Sequence, residues 1–182
     1  MSASALPRMT ADEFIAWAIA QPEGNRYELV AGEVVAMAPQ RSGHALTTFA
    51  VARRLAEAVE AGRLPCIVYG DGMSVEVDST TIYEPDALVR CGAPLPYDAI
   101  KVTDPLILVE VLSPASRAVD TGLKFTDYFR ISSVRHYLIV RAETRTIIHH
   151  VRDEAGTILT RIVRDGSLRL DPPGIELSDL FG

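Results

Sequence analysis

A chain of 182 residues is long enough to bury a substantial core in one domain and too short for two full ones. Hydrophobic residues make up 48% and charged residues 23%, ordinary globular proportions, and no apolar run approaches the ~20 residues a membrane helix requires. A net charge of -6 excludes a general nucleic-acid binder held by a strongly basic surface, so a polyanionic substrate would need a local positive patch.

The elements follow in chain order. Nothing between Met1 and Met9 resembles an export signal, so a cytoplasmic location is expected. Thr10 and Glu13 form a capping box ahead of Phe14, Trp17 and Ala18, which predicts a short helix ending at Gln21-Pro22. Tyr27–Val30 and Glu33–Met37 flank Ala31-Gly32 and predict a hairpin with a two-residue turn. From His44 to Ala61, Ala45, Phe49, Ala52, Leu55, Ala56 and Val59 recur at helical intervals and mark the expected buried face.

Cys66–Tyr69, Met73–Val77 and Ile82–Val89 predict a meander of short strands, and Gly92–Pro105, with three prolines, a surface loop. The two cysteines, Cys66 and Cys91, lack a metal-ligand spacing and are expected to remain thiols used in packing. Leu106–Leu112 is apolar on both alternating faces apart from Glu110, the signature of a central strand covered on both sides. Ser116 is placed to cap a helix reaching about Ile131, and Tyr137–Val140 is then expected to return parallel to the central strand by a right-handed crossover. Thr146–Ile148 and Ile158–Val163 around Asp153–Gly156 predict a further hairpin that extends one α/β (α+β) sheet carrying two principal helices.

Two acids break this apolar pattern. Glu110 on the central strand would cost several kcal/mol if buried without a proton, a cation or hydrogen-bond donors to compensate it. Asp86 follows Pro85 in another apolar strand, and if the two strands pair, both carboxylates can face one hard cation such as Mg²⁺. A structural alternative pairs Glu110 with a buried arginine or backbone amides. Glu84 is expected to be a solvent-edge charge. On the following helix Asp120, Lys124, Asp127 and Tyr128 share a face, so the Lys124 ammonium could lean into the acid pair or form a surface pair with Asp120 or Asp127. Arg117, Lys124, Arg130 and Arg135 form the densest positive cluster near this site. His149 and His150, adjacent on a strand, point to opposite faces and read as structural.

Taken together, Tyr27-Glu28-Leu29 with Gly32-Glu33, Pro85-Asp86, Val109–Pro114, Lys124 with Tyr128, and His136–Val140 resemble the Uma-type family of restriction endonucleases, a branch of the PD-(D/E)XK nuclease superfamily. The resemblance spans about Thr10 to the C-terminus. It implies a restriction-endonuclease-like mixed sheet flanked by helices in a single domain over residues 1–182. It also implies Asp86 and Glu110 as ligands of Mg²⁺, with Mn²⁺ able to substitute, and hydrolysis of phosphodiester bonds in DNA. The superfamily's lysine stands two residues after the acid, where this chain has Leu112, so the lysine role falls to Lys124 on the helix. Glu28 and His44 match family positions of the same residue types and join the candidate catalytic set; read from the residues alone, Glu28 would face solvent and His44 would cap local backbone.

Two other functions fit the same residues: a catalytically silent binding module that retains the fold, and a metal-dependent hydrolase of another phosphoester. A homodimer is expected by analogy, because duplex cleavage needs two active sites.

Overall fold

A computed structural model describes residues 8–112, 118–164 and 166–178, with the side chains of 118–121 also outside the description. In chain order the elements are α1 (Ala11–Ile19), β1 (Tyr27–Val30), β2 (Glu33–Ala36), α2 (Ser42–Ala61), β3 (Cys66–Gly70), β4 (Ser74–Asp78), β5 (Thr81–Tyr83) and β6 (Ala87–Cys91). They continue with β7 (Lys101–Val102), β8 (Ile107–Val111), α3 (Ala118–Tyr128), β9 (His136–Arg141), β10 (Thr146–Arg152), β11 (Ile158–Val163), β12 (Leu168–Leu170) and β13 (Ile175–Leu177). The mixed α+β class is as expected; Ser116, the expected cap of α3, lies outside the described residues.

Local signals produce several of these elements directly. The Thr10 side chain accepts from the Glu13 N–H while Glu13 reaches back to the Thr10 N–H, closing the capping box of α1. At the β1–β2 turn Ala31 and Gly32 both take positive φ, which matches the twist of the flanking strands and is easiest for glycine. β8 is buried along its whole length and pairs parallel to β9, as a strand covered on both faces should.

The strands divide into sheets in a way the sequence reading did not anticipate. Instead of one sheet there is a six-stranded sheet, β11-β10-β9-β8-β6-β3, a five-stranded sheet, β2-β1-β5-β4-β7, and a two-stranded ribbon, β12-β13. The expected meander is split: β4 and β5 pair in the smaller sheet, whereas β3 and β6 pair in the larger one. The physical reason lies at Glu84-Pro85-Asp86, which interrupts the apolar run and lets the chain cross from one sheet to the other. Within the expected loop, β7 adds a short parallel edge to β4.

Alternation of side chains assigns the layers. Ile107, Val109 and Val111 pack with Val51, Leu55 and Val59 of α2, on one face of the larger sheet. Leu108 packs on the other face with Tyr83, Tyr128, Tyr137 and Ile139, so α3 and the smaller sheet cover that side. Leu29 and Ile82 turn outward from the smaller sheet against Ala11 and Phe14 of α1. The buried face of α2 is Thr48, Val51, Leu55 and Val59, rotated from the expected one, and Phe49 stands 69% exposed. Alanines at several expected positions left the phase of the helix weakly specified.

Cys66 and Cys91 sit directly opposite each other in the β3–β6 register and are joined in a disulfide, which corrects the expectation of two thiols. Their antiparallel register is a tertiary fact invisible in a spacing of 25 residues. The cysteines therefore lend no support to the expected reducing, cytoplasmic setting. Among the described residues no helix is long and apolar enough to cross a membrane.

Candidate active site

The two anomalous acids meet where β6 and β8 pair. Ala87 is opposite Val109 and Leu88 opposite Leu108, so the register carries Asp86 to the level of Glu110, and the Val111 N–H donates to Asp86 Oδ2 at 2.7 Å. Both carboxylates are buried. By alternation Glu110 shares the face of Leu108, which directs it toward α3 and the smaller sheet rather than toward α2.

Lys124 comes down from α3 onto this face. Its ammonium, only 6% exposed as a residue, donates to Glu110 Oε1 at 3.0 Å and to Glu28 Oε1 at 2.9 Å. It also lies 5.2 Å from the centre of the Tyr83 ring. One turn further along α3, the Tyr128 hydroxyl donates to the same Glu110 oxygen at 2.8 Å. Glu28 reaches the site from the smaller sheet: Leu29 faces α1, so its neighbour faces inward, where Glu28 Oε1 also accepts the Glu84 N–H at 3.0 Å. The site is thus a polar seam between the two sheets, closed by α3.

His44 enters from the first turn of α2. Its Nε2–H donates to the Val111 carbonyl at 2.9 Å, with Asp86 Oδ1 3.5 Å from the same nitrogen. All five candidate residues, Glu28, His44, Asp86, Glu110 and Lys124, are therefore brought together. The solvent-facing alternative for Glu28 and the local capping alternative for His44 are both corrected, because each partner lies far away in sequence. Lys124 pairs across the fold with Glu28 and Glu110, while Asp127 accepts from the Tyr83 hydroxyl at 2.6 Å.

Burial raises the Glu110 carboxyl to about 7; Lys124 opposes the rise, the Asp86 and Glu28 carboxylates add to it, and the Tyr128 hydrogen bond opposes it. Desolvation alone would lower Lys124, but Glu110 and Glu28 outweigh it and hold the ammonium above its ordinary value. Lys124 is therefore a fixed positive charge and not a base. The His44 imidazole is raised chiefly by its Asp86 contact, against desolvation.

Two members of the expected cluster of cations are committed to internal ion pairs. Lys124 is spent in the seam, and Arg130 pairs with Asp78 Oδ2 at 2.7 Å and with Asp127 Oδ1 at 3.4 Å. Arg117 lies outside the described residues. Glu84, expected at a solvent edge, is instead half-buried and held by Arg26, with Arg26 Nε donating to Glu84 Oε2 at 2.9 Å. Burial lifts its carboxyl above the usual range and Arg26 draws it back. Tyr128 was legible only as a neighbour of Lys124 on the helix, and Tyr83 and Arg26 carried no signal beyond being a buried aromatic and a charge beside a strand.

A divalent cation, as the fold family implies, suits this donor set. Three carboxylates, Glu28, Asp86 and Glu110, face one ammonium, so with His44 neutral the cluster carries two formal negative charges when Glu110 is ionised and one when Glu110 holds its proton. Glu110 Oε1 and Asp86 Oδ2 are engaged by Lys124, Tyr128 and the Val111 N–H. Among the described residues Glu110 Oε2 has no hydrogen-bond partner, and Asp86 Oδ1 has only the 3.5 Å contact with His44 Nε2, so these two are the oxygens placed to serve as hard donors. Among the described residues no group of three or more His, Cys, Asp or Glu side chains is arranged to hold a metal. Two carboxylates with water and substrate oxygens suit a hard divalent cation held in an open site rather than in a closed all-protein cage.

Comparison with known proteins agrees with this architecture. Residues 11–179 match the Uma2 family, described as "Putative restriction endonuclease", and the chain belongs to that family. An uncharacterized protein, slr1290, of Synechocystis sp. is 24% identical over 174 residues, spanning 94% of this chain and 90% of that protein. A second uncharacterized Synechocystis protein, sll1609, is 28% identical over 116 residues, covering 62% of this chain and 64% of that one. The fold is also that of a crystal structure from Anabaena variabilis described as a "putative nuclease belonging to DUF820". The two agree with a TM-score of 0.76 at 16% identity, over 95% of this chain and 97% of that one.

Proposed function

We propose that this protein is a Mg²⁺-dependent endonuclease that hydrolyses phosphodiester bonds in DNA at the seam between its two sheets. The observation that carries the reading is the Lys124 ammonium locked between Glu28 and Glu110 beside a second strand-end acid, Asp86. The family description supports the same chemistry.

Asp86 and Glu110 would hold the divalent ion, which when bound supplies a Lewis acid for the phosphoryl oxygens and lowers the pKa of water. The chain's own groups then have distinct tasks. Lys124 uses two of its three N–H donors on Glu28 and Glu110, leaving one for a phosphate oxygen or the attacking water, and its charge offsets the negative charge that builds on phosphorus. Glu28 holds Lys124 in that position. Tyr128 and the Val111 N–H orient the two ligand carboxylates, and His44 anchors the end of β8 through the Val111 carbonyl.

Supercoiled plasmid incubated with Mg²⁺ or Mn²⁺ tests the reading: nicking that EDTA abolishes is expected, and equal nicking by Asp86→Ala and Glu110→Ala would assign the activity to a contaminant. RNA and simple phosphodiesters assayed in parallel separate a DNA enzyme from a hydrolase of another phosphoester. A catalytically silent binding module is favoured by one observation, the commitment of Lys124 and Arg130 to internal ion pairs in an acidic chain. It predicts no cleavage of any substrate and no thermal shift with either metal. Cleavage of both strands would require two copies, and sedimentation with duplex DNA tests for the dimer.

A further inference from the structure

One guanidinium joins the loops around the mouth of the seam. Arg26, immediately before β1, donates through Nε to Glu84 Oε2 at 2.9 Å, and its Nη2 lies 2.8 Å from the same oxygen. Its Nη1 donates to Asp71 Oδ2 at 2.7 Å, and Nη2 also contacts Asp71 Oδ1. Asp71 Oδ2 accepts in addition from Gln40 Nε2 at 2.6 Å. Three separate connections are thereby tied to the root of β1: the β3–β4 turn through Asp71, the β2–α2 connection through Gln40, and the β5–β6 crossing through Glu84.

The root of β1 and two of these connections lead into the site. Glu28 is two residues beyond Arg26, Asp86 two beyond Glu84, and His44 four beyond Gln40. The path is continuous in hydrogen bonds, from Arg26 to Glu84, from the Glu84 N–H to Glu28 at 3.0 Å, and from Glu28 to Lys124 at 2.9 Å. The segment Glu84-Pro85-Asp86 belongs to neither sheet, so no strand ladder holds it while it delivers Asp86 to β8. A planar fork that engages two carboxylates on different loops fixes orientation as well as charge, which a lysine at the same place would not do.

We infer that Arg26 is a positioning residue of the proposed nuclease site, setting the Glu84–Asp86 crossing and the Glu28 carboxylate so that Asp86, Glu110 and Lys124 converge. This rests on the functional reading above, but its geometric core does not need metal or DNA. Two amides report it directly. The Glu84 N–H is bound to Glu28 and the Val111 N–H to Asp86 Oδ2, so loosening the crossing should expose both to exchange.

Field and geometry predict opposite results. Removing a positive charge strengthens the negative potential of the mouth and would tighten cation binding if Arg26 acted by charge alone. Loss of positioning should weaken it about tenfold, the scale seen when groups that orient metal ligands are removed.

The experiment combines amide hydrogen exchange on the metal-free protein with Mn²⁺ titration, using Arg26→Ala, Arg26→Lys and, as a control ion pair remote from the mouth, Arg90→Ala, which breaks Arg90–Asp104. Exchange of the Glu84 and Val111 amides about tenfold faster in Arg26→Ala, partly restored in Arg26→Lys and unchanged in Arg90→Ala, is the expected result. Mn²⁺ affinity should fall in the same order, and cleavage should lose kcat with KM for DNA held. Unchanged exchange at both amides in Arg26→Ala overturns the inference whatever the wild type does with metal, and so does Mn²⁺ binding as tight as or tighter than wild type. If exchange accelerates as expected and the wild type neither binds metal nor cleaves, the positioning role stands and the nuclease reading fails. If Arg26→Ala does not fold, Arg26→Lys carries both measurements: faster exchange with weaker Mn²⁺ binding supports the inference, and wild-type values in both overturn it.

Discussion

Two sets of buried polar side chains lie on opposite faces of the same sheet. On the α3 face Glu110 meets Lys124, Tyr128, Asp86 and Glu28; on the α2 face His136 and His149 meet each other, with His136 Nδ1 and His149 Nε2 2.9 Å apart. The pair satisfies both His136 nitrogens, while the buried His149 Nδ1 has no hydrogen-bond partner among the described residues. The Pro172 carbonyl, 2.8 Å from His136 Nε2, can only accept, so Nε2 carries the proton, Nδ1 is the acceptor, and His149 Nε2–H is the donor. Burial pushes both rings down to about 4, which keeps them neutral at physiological pH. The acidic seam instead keeps surplus negative charge and a carboxyl raised to about 7. Burial of polar groups therefore does not by itself mark a site; an uncompensated charge does.

The largest expected effect tests that contrast by deletion. Asp86→Asn or Glu110→Gln should reduce metal-dependent cleavage by about a thousandfold or more and abolish the thermal shift produced by Mg²⁺, with near-ultraviolet circular dichroism unchanged. Comparable losses in His149→Leu would erase the distinction between the two faces. Next in size, Lys124→Ala leaves three carboxylates without their cation, so it should cost about 3–5 kcal/mol in urea unfolding and about 100- to 1,000-fold in cleavage.

His149→Leu strands the His136 Nδ1 acceptor and should cost about 1–3 kcal/mol, while cleavage stays within twofold of wild type. Activity tracking that loss of stability would place the histidines in the mechanism.

The smallest effects are opposite pH slopes in the metal-free protein. The two histidines are depressed in the folded state, so between about pH 4 and 6.5 the unfolded chain binds more protons and stability falls on acidification. Glu110 is raised, so between 4.5 and about 7 the folded chain binds more protons and stability falls as pH rises. Each contributes on the order of 1 kcal/mol per pH unit. From about pH 4.5 to 6.5 the two histidines outweigh the one carboxyl, so urea titrations should show the acid loss shrinking in His149→Leu and steepening in Glu110→Gln; identical slopes in all three proteins would contradict both assignments.

What could be read in advance had a local cause. Glu110 stands out because its neighbours at both parities are apolar, Asp86 because a proline and an apolar run frame it, and Lys124 and Tyr128 because helical spacing sets them on one face. The α1 capping box, the Ala31-Gly32 turn and the parallel β8–β9 return are likewise properties of short windows or of chirality. The partition of strands between sheets, the phase of α2 and the Cys66–Cys91 pairing are set by register between distant segments, which no window contains.

The same division runs through the site. From the sequence came the acids, the ammonium and the family that carries them, because a charge placed in an apolar strand is costly wherever that strand packs. The tertiary structure alone decided that Glu28 grips a lysine 96 residues away and that His44 holds a carbonyl 67 residues away. It alone also decided that Arg26 binds the crossing that delivers Asp86. Those contacts depend on how two sheets face each other across a shared core, and side chains from separate sheets have no common periodicity along the chain.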